Sequence, residues 1–161
     1  MNTRIVLLCF IFTLLVSCTN PNKYTPARVN LIKANNWMAV NAKREGVVQT
    51  ESGLQYKKLT VNDGCKPDYD YSVTVHYDMF SEHSKQIVDS SYRRQVPNKF
   101  QLSKMIRGWR EGVPLMNVGE TWEFYIPPNL GYGSKGSAAG IAPNTVLISK
   151  INLIAAGRCK R

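Results

Sequence analysis

Histidine and cysteine are scarce in this chain of 161 residues, and the scarcity excludes several chemistries at once. There are 2 histidines and 4 cysteines. His76 and His83, even with Asp78, are a thin ligand set beside the four donors of a closed zinc site. His76 is therefore expected to be structural, and neither a metal nor a cofactor is expected. Ser90-Ser91 lies in no nucleophile elbow, so hydrolase chemistry has no support. Gly131-Tyr132-Gly133-Ser134-Lys135-Gly136 matches a dinucleotide-binding string in letters only. It follows Pro127-Pro128 and leads into Ser137-Ala138-Ala139-Gly140, with no strand-to-helix junction to hold a phosphate.

Acidic side chains are also few, 11 against 21 basic ones, for a formal charge of +10. The excess is dispersed, in pairs such as Lys57-Lys58, Arg93-Arg94 and Lys160-Arg161, and forms no basic helix or aromatic-interleaved stripe. Nucleic-acid binding is not expected, and a solvated basic surface is. No apolar run reaches the ~20 residues of a spanning helix. The longest, Ile5 to Val16, is interrupted only by Thr13 and follows Arg4, the pattern of a signal peptide.

Residues 1–17 are accordingly read as a leader outside the fold. Leu15-Val16-Ser17-Cys18 resembles a bacterial lipobox, with Cys18 the lipidated residue; an ordinary leader with an incidental cysteine is the alternative. The lipobox implies a lipid-anchored protein of the bacterial envelope, facing the periplasm and expected at the outer membrane. Export also permits disulfides. Cys65 and Cys159 are then available to each other, but spacing cannot establish a Cα approach below ~7 Å, and two free thiols are equally open.

Residues 18–26 read as a polar tether. Residues 27–46 read as a helix with Leu31, Ala34, Met38 and Ala42 on one side and Gly46 as its stop. Beyond it, residues 47–157 read as one domain. Strand patterns are predicted at Leu54 to Leu59, Tyr71 to Phe80, Thr121 to Ile126 and Thr145 to Ile154, with short pieces near Gln86 to Val88 and Lys99 to Leu102. A short helix is predicted from Lys104 to Val113. The fold class is α+β, an antiparallel sheet of about five strands wrapped around a short central helix, with the N-terminal helix ahead of it.

Several segments in order resemble the FKBP-type peptidyl-prolyl isomerases. They are Thr50 to Tyr56, Val75-His76-Tyr77, Asp89-Ser90-Ser91, Ile106 to Gly112, Met116 to Glu120, Ile126-Pro127, Gly131-Tyr132-Gly133 and Ala142-Pro143-Asn144. Asn36 to Gly46 resembles the helix preceding this domain in bacterial surface and periplasmic members. The resemblance implies an apolar cleft that binds proline and accelerates rotation about the X-Pro bond in exported polypeptides. It implies catalytic roles for Asp89, Tyr77, Trp109 and Tyr132, and substrate contacts from Val88, Arg94, Phe100, Met105, Ile106 and Ile141. Trp109 would floor the cleft, the Tyr132 hydroxyl and Ile106 N–H would hold substrate carbonyls, and Tyr77 with Arg94 would orient Asp89. A macrolide inhibitor of the family is an implied ligand. The long dimerisation segment of the macrophage-infectivity-potentiator type is not seen, so a monomer is expected.

Some positions depart from the family pattern. Val88 and Ser149 stand where most relatives carry phenylalanine, the turn Ser81 to Lys85 is long, and no Gly follows His76-Tyr77. Losing one ring from the cleft would forfeit about 1–3 kcal/mol of substrate contact. The rival reading is therefore a weakly catalytic or non-catalytic lipoprotein of this fold that binds peptides as a chaperone module.

Overall fold

The computed structural model describes residues 25–160. The leader and Cys18 lie outside the described residues. Helix α1 (Pro26–Asn41) starts where Thr25 accepts a hydrogen bond from the Arg28 N–H, with Pro26 in the first turn, where its missing N–H costs nothing. It ends at Asn41, earlier than the predicted stop at Gly46; Lys43 and Arg44 donate to Val40 and Asn41 in tight turns. The buried stripe is also rotated from the expected one. Ala34, Met38 and Asn41 face the sheet, whereas Leu31 and Ala42 are exposed. An amide explains the difference: Asn41 Nδ2 donates to Gln55 Oε1 at 2.9 Å, and Gln55 Nε2 donates to the Met38 carbonyl at 2.9 Å. A polar residue thus sits at the docking seam, and its partner adds a second hydrogen bond to the Met38 carbonyl, which already accepts the Ala42 N–H.

The described residues hold seven strands: β1 (Val47–Gln49), β2 (Gln55–Thr60), β3 (Ser72–Ser81), β4 (Ile87–Ser90), β5 (Asn98–Gln101), β6 (Thr121–Ile126) and β7 (Leu147–Ala156). All pairings are antiparallel, in the order β1-β2-β6-β7-β3-β4, with β5 also on β3. The class expected from the sequence holds, but the count of about five does not. β1 folds back on β2 as a short hairpin that alternation over three residues could not reveal. The short pieces after residue 86 are separate partners of one strand.

That strand, β3, organises the molecule. Val73, Val75, Tyr77 and Met79 point inward and are buried, alternating with half-buried neighbours, as a strand with one covered face requires. One edge pairs with β7 over its whole length. The other edge is shared: β5 pairs with Ser72 to Val75, and β4 with Asp78 to Phe80. His76 and Tyr77 fall in the gap between them. There a side chain stands in for the missing strand, because Ser91 Oγ accepts the Tyr77 N–H at 2.7 Å. A buried N–H without a partner would be costly. The gap is occupied by α2 (Ser91–Arg94), a single turn capped by Ser90 and closed by Gln95 in the left-handed region, φ 57°.

Helix α3 (Arg107–Gly112) crosses the inner face of the sheet. It can lie close to β6 because residues 108 and 112, one turn apart, are glycines. A Cβ on Gly108 would stand 2.6 Å from Ile126 Cγ2, and one on Gly112 would stand 2.5 Å from Phe124 Cε1. The α3 residue between them, Trp109, is buried in the main core with Leu54, Leu102, Val113, Met116, Ile151 and Leu153. A smaller cluster on the other face, Ala34, Met38, Tyr125 and Val146, holds α1 to β6 and β7. Cys65 and Cys159 form a disulfide with Cα atoms 5.7 Å apart, closing the choice the sequence left open. Among the described residues, no helix is long and apolar enough to cross a membrane.

Candidate active site

Inward of Tyr77 lies a cavity of about 230 Å³ lined by Tyr77, Met79, Val88, Asp89, Phe100, Met105, Trp109, Tyr132 and Ala139. The lining residues come from several elements. β3 supplies Tyr77 and Met79, β4 supplies Val88 and Asp89, and β5 supplies Phe100. Met105 precedes α3, and Tyr132 and Ala139 come from the loop after β6. Three rings form one apolar wall by meeting edge to face, the preferred arrangement of aromatic quadrupoles. Tyr77 and Trp109 have centroids 5.1 Å apart at 87°, Phe100 and Trp109 5.7 Å at 81°, and Tyr77 and Phe100 5.6 Å at 60°.

Asp89 is the acidic group on the rim. The Tyr77 hydroxyl donates to Asp89 Oδ2, Arg94 Nη1 and the Ser90 N–H donate to Oδ1, and Arg94 Nη2 reaches back to the Tyr77 oxygen at 3.0 Å. Burial pushes the Asp89 carboxyl up, but the bonds from Tyr77, Arg94 and Ser90 outweigh it and hold the group below the usual carboxylate range. The phenol of Tyr77 moves the other way. Burial and its bond to Asp89 push it up to about 12, against the opposing effect of Arg94. The result is a fixed anion beside a neutral phenol at neutral pH. Arg94, with Asn98 as a further acceptor, clamps both.

Of the residues expected at the site, Tyr77, Val88, Asp89, Phe100, Met105, Trp109 and Tyr132 line the cavity. Arg94 stands behind Asp89 as expected. Ile106 sits just before α3, half-buried against the core, and its N–H donates to no acceptor among the described residues. Ile141 differs. It is only 4% exposed and lies in the core behind the rim, where its carbonyl accepts the Ser137 N–H and tightens the loop. That loop turns at Gly136, φ 67°, where a Cβ would stand 2.2 Å from the Ile141 oxygen.

Met79 and Ala139 were missed. Met79 was legible as an inward position two residues from Tyr77, whereas no spacing rule places Ala139. Ser149 also stands differently from its expected role as a hollow in the cleft. It is fully buried on β7, and its Oγ accepts the Trp109 indole N–H at 3.2 Å. His76, expected to be structural, bonds through Nδ1 to Ser91 Oγ at 2.9 Å and stacks on Tyr92.

An antiparallel sheet wrapped on one short helix, with an aromatic-walled cavity and a tethered carboxylate at its mouth, makes this an α+β domain with a pre-formed apolar cleft. Comparison with known proteins narrows the class. Residues 64–154 match the model of the FKBP-type peptidyl-prolyl cis-trans isomerase family, and residues 20–57 match the domain amino-terminal to such isomerases. The chain belongs to the FKBP-type peptidyl-prolyl cis-trans isomerase family. It is 39% identical over 125 residues to the peptidyl-prolyl cis-trans isomerase Mip of Coxiella burnetii, covering 78% of this chain and 54% of that protein. It is 38% identical over 128 residues to the outer membrane protein MIP of Legionella longbeachae, covering 80% and 54%. The chain thus spans about half the length of these relatives. A crystal structure of a peptidyl-prolyl cis-trans isomerase from Pseudomonas syringae superposes with a TM-score of 0.76 at 31% identity, covering 82% of this chain and 96% of that one.

Proposed function

We propose that this chain accelerates cis-trans rotation of X-Pro bonds in exported polypeptides, with the cavity over Trp109 as its active site. One observation carries the reading: the Asp89 carboxylate, fixed by Tyr77 and Arg94, borders an apolar cavity of about 230 Å³, of a size to take a proline ring. Rotation about an amide meets a barrier of about 18–20 kcal/mol, because resonance across C–N is lost at the twist. The planar amide carries more charge on its carbonyl oxygen and is better solvated by water than the twisted one. A site with few waters therefore favours the twisted state, and only such differential binding raises the rate.

In this reading the proline ring lies on Trp109 between Tyr77, Val88, Phe100 and Met105. The Ile106 N–H and the Tyr132 hydroxyl take carbonyls of the flanking residues, and Asp89 faces the carbon and oxygen of the twisting amide. Ile141 supports the loop from behind. No bond is broken and no proton need leave the site, which suits a phenol held neutral and a carboxylate held charged.

The placement in the cell belongs to the same reading. The leader-like residues 1–17, the lipobox-like Cys18 and the name of the Legionella relative support a lipid-anchored domain at the periplasmic face of the outer membrane. Residues 47–157 would be the isomerase domain and residues 27–46 the helical segment joining it to the tether at 18–26. Prolyl isomerisation by the full-length chain on X-Pro peptides tests the activity, with an FKBP-directed macrolide as competitor. Acceleration abolished by the macrolide is expected; a folded protein that leaves the uncatalysed rate unchanged would overturn the reading in favour of a peptide-binding module.

A further inference from the structure

Two tryptophans are buried in the core of this domain, and their indole N–H groups are treated differently. Trp122 Nε1 is buried with no hydrogen-bond partner among the described residues; its ring is held by stacking on Tyr56 at 4.6 Å and by Lys58 above it. Trp109 Nε1 donates to Ser149 Oγ at 3.2 Å. Ser149 is fully buried and stands outside the residues that line the cavity. It stands on β7 opposite Met79 of β3 and Phe124 of β6, an inward position that the surrounding residues fill with apolar side chains.

A hydroxyl at such a place loses its hydration, and one bond to a neutral donor returns only part of that cost. For packing alone, an alanine would serve. What the hydroxyl adds is direction. Tyr77 and Phe100 contact Trp109 edge to face, and such contacts are tolerant of small ring rotations. A hydrogen bond is not, since it weakens steeply with misalignment. The bond to Ser149 pins the one polar atom of the indole, and with it the tilt of the ring.

We propose that Ser149 is a positioning residue for proline recognition: its hydroxyl fixes the tilt of the Trp109 indole that floors the cavity. This rests on the reading of the cavity as a proline site, and the two can be separated by experiment. Ser149→Ala removes the acceptor with little change of volume, and Ser149→Thr keeps the hydroxyl on a residue suited to a strand.

The measurements, made on the full-length chain, are the Trp109 Nε1–H resonance, the dissociation constant for the tetrapeptide Ala-Leu-Pro-Phe, and Tm. For Ser149→Ala the resonance is expected to move upfield and the dissociation constant to rise about three- to tenfold, the scale of one net hydrogen bond. Ser149→Thr is expected to restore the constant to within about twofold. An unchanged dissociation constant in the alanine variant overturns the proposal, whatever happens to Tm. So does a loss of affinity that a stably folded threonine variant does not repair; if threonine lowers Tm, the alanine variant decides alone. Peptide isomerisation by the unsubstituted chain is measured in parallel. Its absence, with binding still sensitive to Ser149→Ala, would remove the catalytic reading and leave the positioning role intact.

Discussion

The same four kinds of side chain meet twice in this molecule, on opposite faces of the sheet. On the inner face Tyr77 bonds to Asp89, with Trp109 and Arg94 beside them. On the outer face Tyr125 Oη donates to Glu123 Oε2 at 2.6 Å, Trp37 packs 5.8 Å from the Tyr125 ring, and Arg44 is close by. In both places burial and a carboxylate partner raise the phenol. The first borders the cavity and the second is a seam that fastens α1 to β6.

Two differences separate them. Arg94 bonds directly to the carboxylate and the phenol, whereas Arg44 lies over the Trp37 ring at 5.5 Å. The inner group also borders empty space, while the outer group is covered by a helix. Residue type alone therefore says little. What the arginine touches, and whether room is left for a ligand, decide the chemistry.

Paired substitutions break the comparison, beginning with the largest effect. Trp109→Ala should lower isomerisation efficiency by about a hundredfold or more, close to 3 kcal/mol of transition-state stabilisation. It should also cost about 3–5 kcal/mol of stability in a denaturant titration, as a buried ring replaced by alanine does. Trp37→Ala should leave the rate of the folded protein within about twofold, since it touches only the seam. A rate loss shared equally by the two variants would place the floor of the site elsewhere.

Next come the carboxylates. Asp89→Asn should reduce the rate about tenfold, while Glu123→Gln leaves it unchanged, both read in a protease-free peptide isomerisation assay. The phenols follow. Tyr77→Phe and Tyr125→Phe should each cost about 1.5–3 kcal/mol in unfolding experiments for a lost hydrogen bond to a charged acceptor. Only the first should also slow isomerisation, by a few-fold.

The smallest effect is that of pH. The Asp89 carboxyl is held below its unfolded value, so its contribution to stability is present above pH ~4, the unfolded carboxylate value, and is lost as pH falls through the lower native value. Activity should therefore stay flat on acidification until below the ordinary carboxylate range. In Asp89→Asn that acid limb should disappear from the stability profile.

How much of this was legible in the sequence varied with how far each signal reaches along the chain. Alternation along Val73 to Met79 marks the buried face of β3 directly. The order of short motifs from Thr50 to Asn144 carries the fold and seven of the nine cavity residues. Hairpin β1 was invisible because three residues cannot show a period. Helix α1 ends before Gly46, a stop signal by type, because the backbone tightens already after Asn41, where Lys43 and Arg44 donate to Val40 and Asn41. Ile141 and Ser149 show what a linear pattern does not carry. Both are inward positions near the cleft, and nothing in a linear pattern tells a residue that faces the cavity from one that faces the residue facing it.

The pairing of β3 with β7 joins residues 72–81 to residues 147–156, so the longest ladder of the sheet cannot form until most of the domain has been threaded between them. Contacts of such long sequence separation slow folding, because loop-closure entropy is spent before any contact returns it. The disulfide spans the same loop from just outside, with a separation of 94 residues. In the chain-entropy account a crosslink of that reach disfavours the unfolded ensemble by roughly 4–5 kcal/mol. Oxidation of Cys65 and Cys159 would then do for the folding of the sheet what a clasp does for a necklace: the ends of its central ladder are brought together in advance.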